Sequence, residues 1–180
     1  MNKTASRLRS CLGAGSLIAA TFFVGCQPVG AGGEQAESSI RNKPAAEFNL
    51  PDLEGKAVRL RDFRGKVVLL NFWGTTCAPC IQEIPWLIEF QKKYEEKGLQ
   101  VVAVSMYGEG PDELKPYVAE RGMEPLKVLI GNDQIKGVFG ARAFPTTFLI
   151  DRKGNYHSRH QGLINRKKVE AAIAALLEKE

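Results

Sequence analysis

Between residues 66 and 73 the chain reads KVVLLNFW, an almost unbroken apolar run set off by Gly65 and Gly74. A run without polar alternation predicts a strand buried on both faces. Leu99–Met106 (LQVVAVSM) predicts a second such strand and Leu126–Ile130 a third. Between the first two, Ile81, Ile84, Leu87 and Ile88 recur at helical spacing, which predicts a helix over about Ala78–Lys97, stopped by Gly98. Pro85 removes a backbone donor inside it and predicts a kink. Pro111–Arg121 reads as a helix with Pro in its first turn and Gly122 past its end, and Asp133–Phe139 as a short one. Thr146–Asp151 and Tyr156–Gln161 flank Arg152-Lys153-Gly154-Asn155, which suits a hairpin turn. Arg166–Lys179 is amphipathic, with Val169, Ala172, Ile173, Leu176 and Leu177 on one face. Ahead of the first buried run, Ala46–Leu60 carries a hairpin pattern around Asp52-Leu53-Glu54-Gly55. Alternating strands and helices closed by a hairpin and a helix mean an α/β layered domain with a mixed sheet.

The N-terminal residues have a different character. Met1–Ser10 is basic and Cys11–Gly25 (CLGAGSLIAATFFVG) is apolar. That run is short of the roughly 20 residues a membrane-spanning helix needs and has the layout of a signal peptide. It ends in Phe22-Phe23-Val24-Gly25-Cys26, which resembles the lipobox of bacterial lipoproteins, with Phe23 where Leu is common. The resemblance implies that Cys26 receives a diacylglyceryl group and becomes the first residue of the mature chain. The following QPVGAGGEQAESSIRNKP has no apolar period and reads as a flexible spacer. The expected layout is a signal peptide over 1–25, a tether over 26–44 and a folded domain over 45–180, outside the cytoplasm and held to a bacterial membrane. Three of the five net positive charges sit on Lys3, Arg7 and Arg9, leaving +2 from Cys26 onward, and no basic patch interleaved with aromatics points to nucleic acid. With 44% hydrophobic and 25% charged side chains, the 180 residues suffice for one domain with a core.

Four cysteines are too few for a disulfide scaffold in a chain of this length. Cys77 and Cys80, separated by Ala78 and Pro79, stand where a buried strand gives way to a helix. A helix N-terminus favours the thiolate at Cys77, and the two-residue gap puts Cys80 one turn on, close enough for a disulfide. This suits a reversible couple in which Cys77 attacks a substrate disulfide and Cys80 resolves the mixed disulfide. Half of a zinc site is the alternative, but His157 and His160, three apart on a predicted strand, point to opposite faces. An inert structural disulfide would not need a helix start straight after a buried strand.

The segment Asn71-Phe72-Trp73-Gly74-Thr75-Thr76-Cys77-Ala78-Pro79-Cys80 resembles the active-site segment of the thioredoxin fold. More narrowly, with the preceding EFNLPDLEGKAVRLRDFRGK, it is similar to the TlpA/ResA group of membrane-tethered thiol-disulfide oxidoreductases, over about residues 45–180. The resemblance implies a thioredoxin-like mixed sheet flanked by helices, with an N-terminal β-hairpin extension and a central βα insertion. Phe144-Pro145-Thr146-Thr147 matches the family's cis-proline loop, so Pro145 is expected in cis, against the trans preference of X-Pro bonds in general. Phe144 and Pro145 are then substrate contacts, joined by Thr76 and Trp73, with Phe72 and Trp73 packing beneath the dithiol. Glu83 matches a typical acidic residue of the group. It is either a carboxylate that raises thiol pKa values and relays protons or an ordinary solvated charge. Asn71 replaces the buried Asp of thioredoxin itself, and Thr76 a bulkier residue common in the family. The implied activity is reduction of disulfides in extracytoplasmic proteins, apocytochrome c before haem attachment among them. The implied partners are that protein substrate, a membrane thiol-reductant donor and the membrane itself. The redox-active disulfide would serve with no cofactor and no metal, in a monomer. Copper(I) handling by the two thiolates and a peroxiredoxin-like peroxidase are the alternatives.

Overall fold

The computed structural model describes residues 40–179; the expected signal peptide, Cys26 and residues 27–39 of the spacer lie outside the described residues. Its strands are β1 (Asn49–Pro51), β2 (Ala57–Arg59), β3 (Val67–Trp73), β4 (Leu99–Ser105), β5 (Lys127–Ile130), β6 (Thr146–Ile150) and β7 (Tyr156–Gln161). Its helices are α1 (Ala78–Tyr94), α2 (Pro111–Glu120), α3 (Asp133–Phe139) and α4 (Arg166–Leu177). Five strands form one sheet in the order β5-β4-β3-β6-β7, the first three parallel and β6 and β7 antiparallel to their neighbours. This is the thioredoxin-like mixed sheet the sequence implied, with β5 and α3 as the inserted strand and helix.

All seven residues of β3 are buried, as its unbroken apolar run requires. Strand parity sends Val67, Leu69 and Trp73 to the face covered by α1, α2 and α4, and Val68, Leu70 and Phe72 to the face covered by α3 and the β1–β2 hairpin. Asn71 shares the parity of Leu69 and Trp73, so the one polar residue of the strand faces α1. The hairpin is closed by Asp52, whose Oδ1 accepts from the backbone N–H groups of Glu54 and Lys56. It is tied to β5 by a backbone bridge between Asp52 and Leu129.

Residues 42–44, expected in the spacer, are tied to the sheet. Asn42 N donates to the Tyr156 carbonyl, Tyr156 N to that of Lys43, and Pro44 bridges Asn155. The helix through Pro85 is continuous over Ala78–Tyr94 and tightens to a 3₁₀ turn at Glu95–Lys97. It stops at Gly98, whose φ of 97° is open to glycine at little cost.

Candidate active site

β3 ends at Trp73, and Gly74-Thr75-Thr76 turns the chain into α1. Cys77 is the N-cap of that helix, in extended backbone (φ −84°, ψ 103°), and its carbonyl accepts the first helical bond from Ile81 N at 3.0 Å. Pro79 sits in the first turn, where a missing N–H has no helical partner to lose. No acidic side chain occupies that turn, so nothing there offsets the positive end of the helix dipole beside Cys77. Cys77 and Cys80 are joined as a disulfide, with Cα atoms 5.2 Å apart. Cys77 keeps 8% of its surface and Cys80 none, while Thr76, Ala78 and Pro79 are exposed around them. Of the two cysteines, only Cys77 keeps any surface that a reactant could approach.

Glu83 lies one turn beyond Cys80 on the inward face of α1, fully buried. Of its two sequence-level readings, a solvated charge is the one the structure excludes. Its Oε1 accepts from Asn71 Nδ2 at 2.6 Å, and its Oε2 from the backbone N–H of Ile164 at 3.3 Å. Asn71 Nδ2 also donates to Thr147 Oγ1 at 3.0 Å, so the Asn71 amide and the Glu83 carboxylate together join β3, β6, α1 and the turn before α4. Burial pushes the Glu83 pKa up to about 7, against the two hydrogen bonds, which act to lower it. Removing one donor with Asn71→Ala is expected to cost about 1–3 kcal/mol when Glu83 is ionised and less when it is protonated. Urea unfolding on either side of neutrality checks the difference.

The Phe144–Pro145 peptide bond is cis, as the resemblance implied. Pro145 is buried and Phe144 half-buried. Trp73, expected both beneath the dithiol and among the substrate contacts, is not at the surface: it is 1% exposed and packs on Tyr117 with ring centroids 5.5 Å apart. The aromatic that does reach solvent here is Tyr107, to which sequence reasoning attached no role. It is 47% exposed, meets the Phe144 ring edge-on at 5.7 Å, and lies so close over Gly74 that a Cβ there would come within 2.7 Å of it. Glu109 was missed as well. It accepts from Thr75 Oγ1, and from Ser105 Oγ at 2.7 Å, anchoring the loop that leads to Cys77. Burial acts to raise the Glu109 pKa, but the Thr75 and Ser105 hydroxyls, together with the backbone N–H groups of Glu109 and Thr75, outweigh it and hold the carboxyl below its ordinary range. The signal for both was the parallel pairing of β3 with β4, which sets Trp73 beside Ser105 and so lays residues 106–109 along the dithiol loop. Among the described residues, no group of three or more His, Cys, Asp or Glu side chains is placed to hold a metal ion.

Comparison with known proteins agrees with this geometry. The AhpC/TSA family profile matches residues 42–157. The thiol-disulfide oxidoreductase ResA of Bacillus anthracis is 37% identical over 131 residues, covering 73% of this chain and 75% of that protein. Among solved structures, a DsbE-type thiol:disulfide interchange protein of Chlorobium tepidum superposes with a TM-score of 0.66 at 36% identity, over 76% of this chain and 97% of that one. The exposed lipoprotein thioredoxin of Streptococcus pneumoniae gives 0.63 at 26% identity, over 73% of this chain and all of its own.

Proposed function

We propose, since the chain belongs to the AhpC/TSA family and is a thiol-disulfide oxidoreductase of the ResA type, that it reduces protein disulfides outside the cytoplasmic membrane. A diacylglyceryl group on Cys26 would hold it there, and a membrane thiol donor would recharge it. The observation that carries the reading is the unequal burial of the dithiol, with Cys77 reachable at a helix N-terminus and Cys80 sealed above a buried carboxylate. The Cys77 thiolate attacks a substrate disulfide, forming a mixed disulfide and releasing one substrate thiolate. The Cys80 thiolate then attacks the Cys77 sulfur, closing the internal disulfide and releasing the second. Two electrons pass to the substrate, and Glu83 is the group in place to take the Cys80 proton, since residues three apart on a helix have Cβ atoms about 5–6 Å apart. The same closure over one helical turn favours exchange over a peroxidase built on a lone reactive cysteine. Resemblance to ResA makes an apocytochrome c, reduced before haem attachment, the substrate to try first.

Thr76, Ala78 and Pro79, with Phe144 and Tyr107 beside the cis-Pro145 loop, would form the surface an extended substrate segment meets. Tyr107→Ala is expected to raise KM for a protein disulfide about three- to tenfold, the worth of one aromatic contact, and to leave reduction of a small disulfide unchanged. The reading as a whole is tested by the reduction potential of the Cys77–Cys80 pair, equilibrated against thiol buffers. A value near or below about −250 mV fits a dedicated reductant, whereas one above about −150 mV makes the protein a disulfide donor and overturns it.

A further inference from the structure

The end of the sheet opposite Cys77 carries a cleft of about 550 Å³ that the exchange reaction does not use. It lies among the N-terminal segment, the β6–β7 turn and the end of α4, and its charged and titratable lining is Arg41, Asp151, Arg152, Lys153, His157 and Lys179. Four cations thus face one carboxylate. That carboxylate is already engaged, because Asp151 accepts from Asn155 N at 2.8 Å and from Asn155 Nδ2. Arg152 is held by backbone carbonyls alone, those of Gly65, Lys97 and Leu177, so no acid neutralises it there, and its Nε is buried without a partner. Arg41, Lys153 and Lys179 form no ion pair with a carboxylate among the described residues. The surplus field is felt locally: burial first, then the charges of Arg41 and Lys179, lower the pKa of His157. A concave, preorganised surplus of cations is suited to a phosphate.

The occupant is indicated by where the chain enters. Arg41 and Asn42 line this cleft, fifteen and sixteen residues after Cys26, and Asn42 and Lys43 are fixed to Tyr156 beside it. The chain from Cys26 thus joins the domain at this end and not at the Cys77 end, and its fifteen residues span at most about 50 Å, so the end nearest the attachment is the one favoured to face the bilayer. β6 runs antiparallel to β3, with Ile150 opposite Val68, so the turn after β6 and the dithiol after β3 lie at opposite ends of a seven-residue strand, about 20 Å apart. We propose that the Arg41–Arg152–Lys153–Lys179 cleft binds the phosphate of anionic phospholipid headgroups and holds the domain with Cys77 turned to the aqueous side, an inference that rests on the tethered reading above.

The test uses the full chain processed in a bacterial host and placed on vesicles of phosphatidylcholine, alone or mixed with phosphatidylglycerol. The rate of amine acylation at Lys43, Lys153 and Lys179 is compared with that at Lys136, which lies by Phe144 at the active-site end. The three are expected to label about fivefold or more slowly on the anionic vesicles, with high salt restoring the rate and Lys136 unaffected. In the combined variant Arg41→Gln, Lys153→Gln, Lys179→Gln, Lys43 should label alike on both lipids while exchange with a soluble disulfide peptide is unchanged. Equal labelling of the wild type on both lipids overturns the proposal, as does protection by inorganic phosphate with none from anionic lipid. The mass of the N-terminal peptide reports separately on Cys26. If it carries no acyl group the tether is overturned, and the cleft is judged by co-sedimentation alone: preference for anionic vesicles supports it and equal partition overturns it.

Discussion

Cys77→Ser is expected to abolish thiol–disulfide exchange, by at least about a thousandfold, whereas Cys80→Ser should stop the reaction halfway with substrate attached. The two cysteines share a disulfide but not a position. Cys77 is the one of the two that keeps some exposed surface, at the N-cap of α1, where the helix dipole favours its thiolate, and a serine hydroxyl there stays protonated and inert. Cys80 has no exposed surface, so it cannot start the reaction, only complete it once Cys77 has formed the mixed disulfide. Removing Cys80 leaves that adduct without an intramolecular attacker. The check is mass spectrometry of each reduced variant mixed with a disulfide-closed peptide. A one-to-one adduct at Cys77 is expected for Cys80→Ser and no adduct for Cys77→Ser. An adduct at Cys80 would reverse the assignment of the two roles.

The part of this site legible in the sequence is the part written in contiguous residues. KVVLLNFW announces a doubly buried strand, and two cysteines at a helix start announce a redox couple whatever lies around them. The burial of Glu83 was also written, less plainly. Cys80, Glu83, Leu87 and Phe90 follow one another by three or four residues and form a single stripe of α1, so a carboxylate there must face the core. Asn71 stands in the same relation to Leu69 and Trp73 on β3. Neither residue alone shows that they meet, because the contact depends on how α1 packs across the sheet. Tyr107 and Glu109 were hidden for a different reason. They follow β4, about thirty residues after the cysteines, and only the parallel register of β3 with β4 carries them to the dithiol loop. The cis bond before Pro145 has no local signature and came from family resemblance alone. Trp73 was given two places, beneath the dithiol and among the substrate contacts, and strand parity, which turns it inward, leaves it the first.

The oxidised protein is expected to lose about 3 kcal/mol of stability as pH rises from about 5 to about 8 through Glu83 alone, and Glu83→Gln should remove that loss. In the unfolded chain this carboxyl titrates near its ordinary 4.5; in the fold, burial moves it to about 7. Below 4.5 it is protonated in both states and the fold buries no charge. Between the two values the folded state holds the proton that the unfolded state has released, so stability falls with rising pH until the folded group ionises too. Above about 7 this group contributes no further slope. The lowered carboxyls of Asp52 and Glu109 act in the opposite sense, but below their own ordinary values of 3.8 and 4.5, outside this window. His157 does act inside it. Its lowered pKa makes the fold gain stability as pH rises toward 6.5, which offsets part of the Glu83 loss, so the measured quantity is the difference between wild type and variant in urea at each pH. The amide of Gln also sets an N–H₂ against the donors of Asn71 or Ile164, a cost that does not vary with pH and so shifts the curve without restoring its slope. Equal slopes for the two proteins would place the Glu83 pKa in the fold at its ordinary value. The same titration acts on the exchange reaction in the reverse direction. In the proposed role of Glu83 as acceptor of the Cys80 proton, the ionised form is the one that acts, so release of the second substrate thiolate should quicken through about pH 7 in the wild type and not in the variant. The condition that weakens the fold is thus the one that readies the resolving cysteine, and a buried carboxylate is held at that balance by the two donors that Asn71 and Ile164 supply.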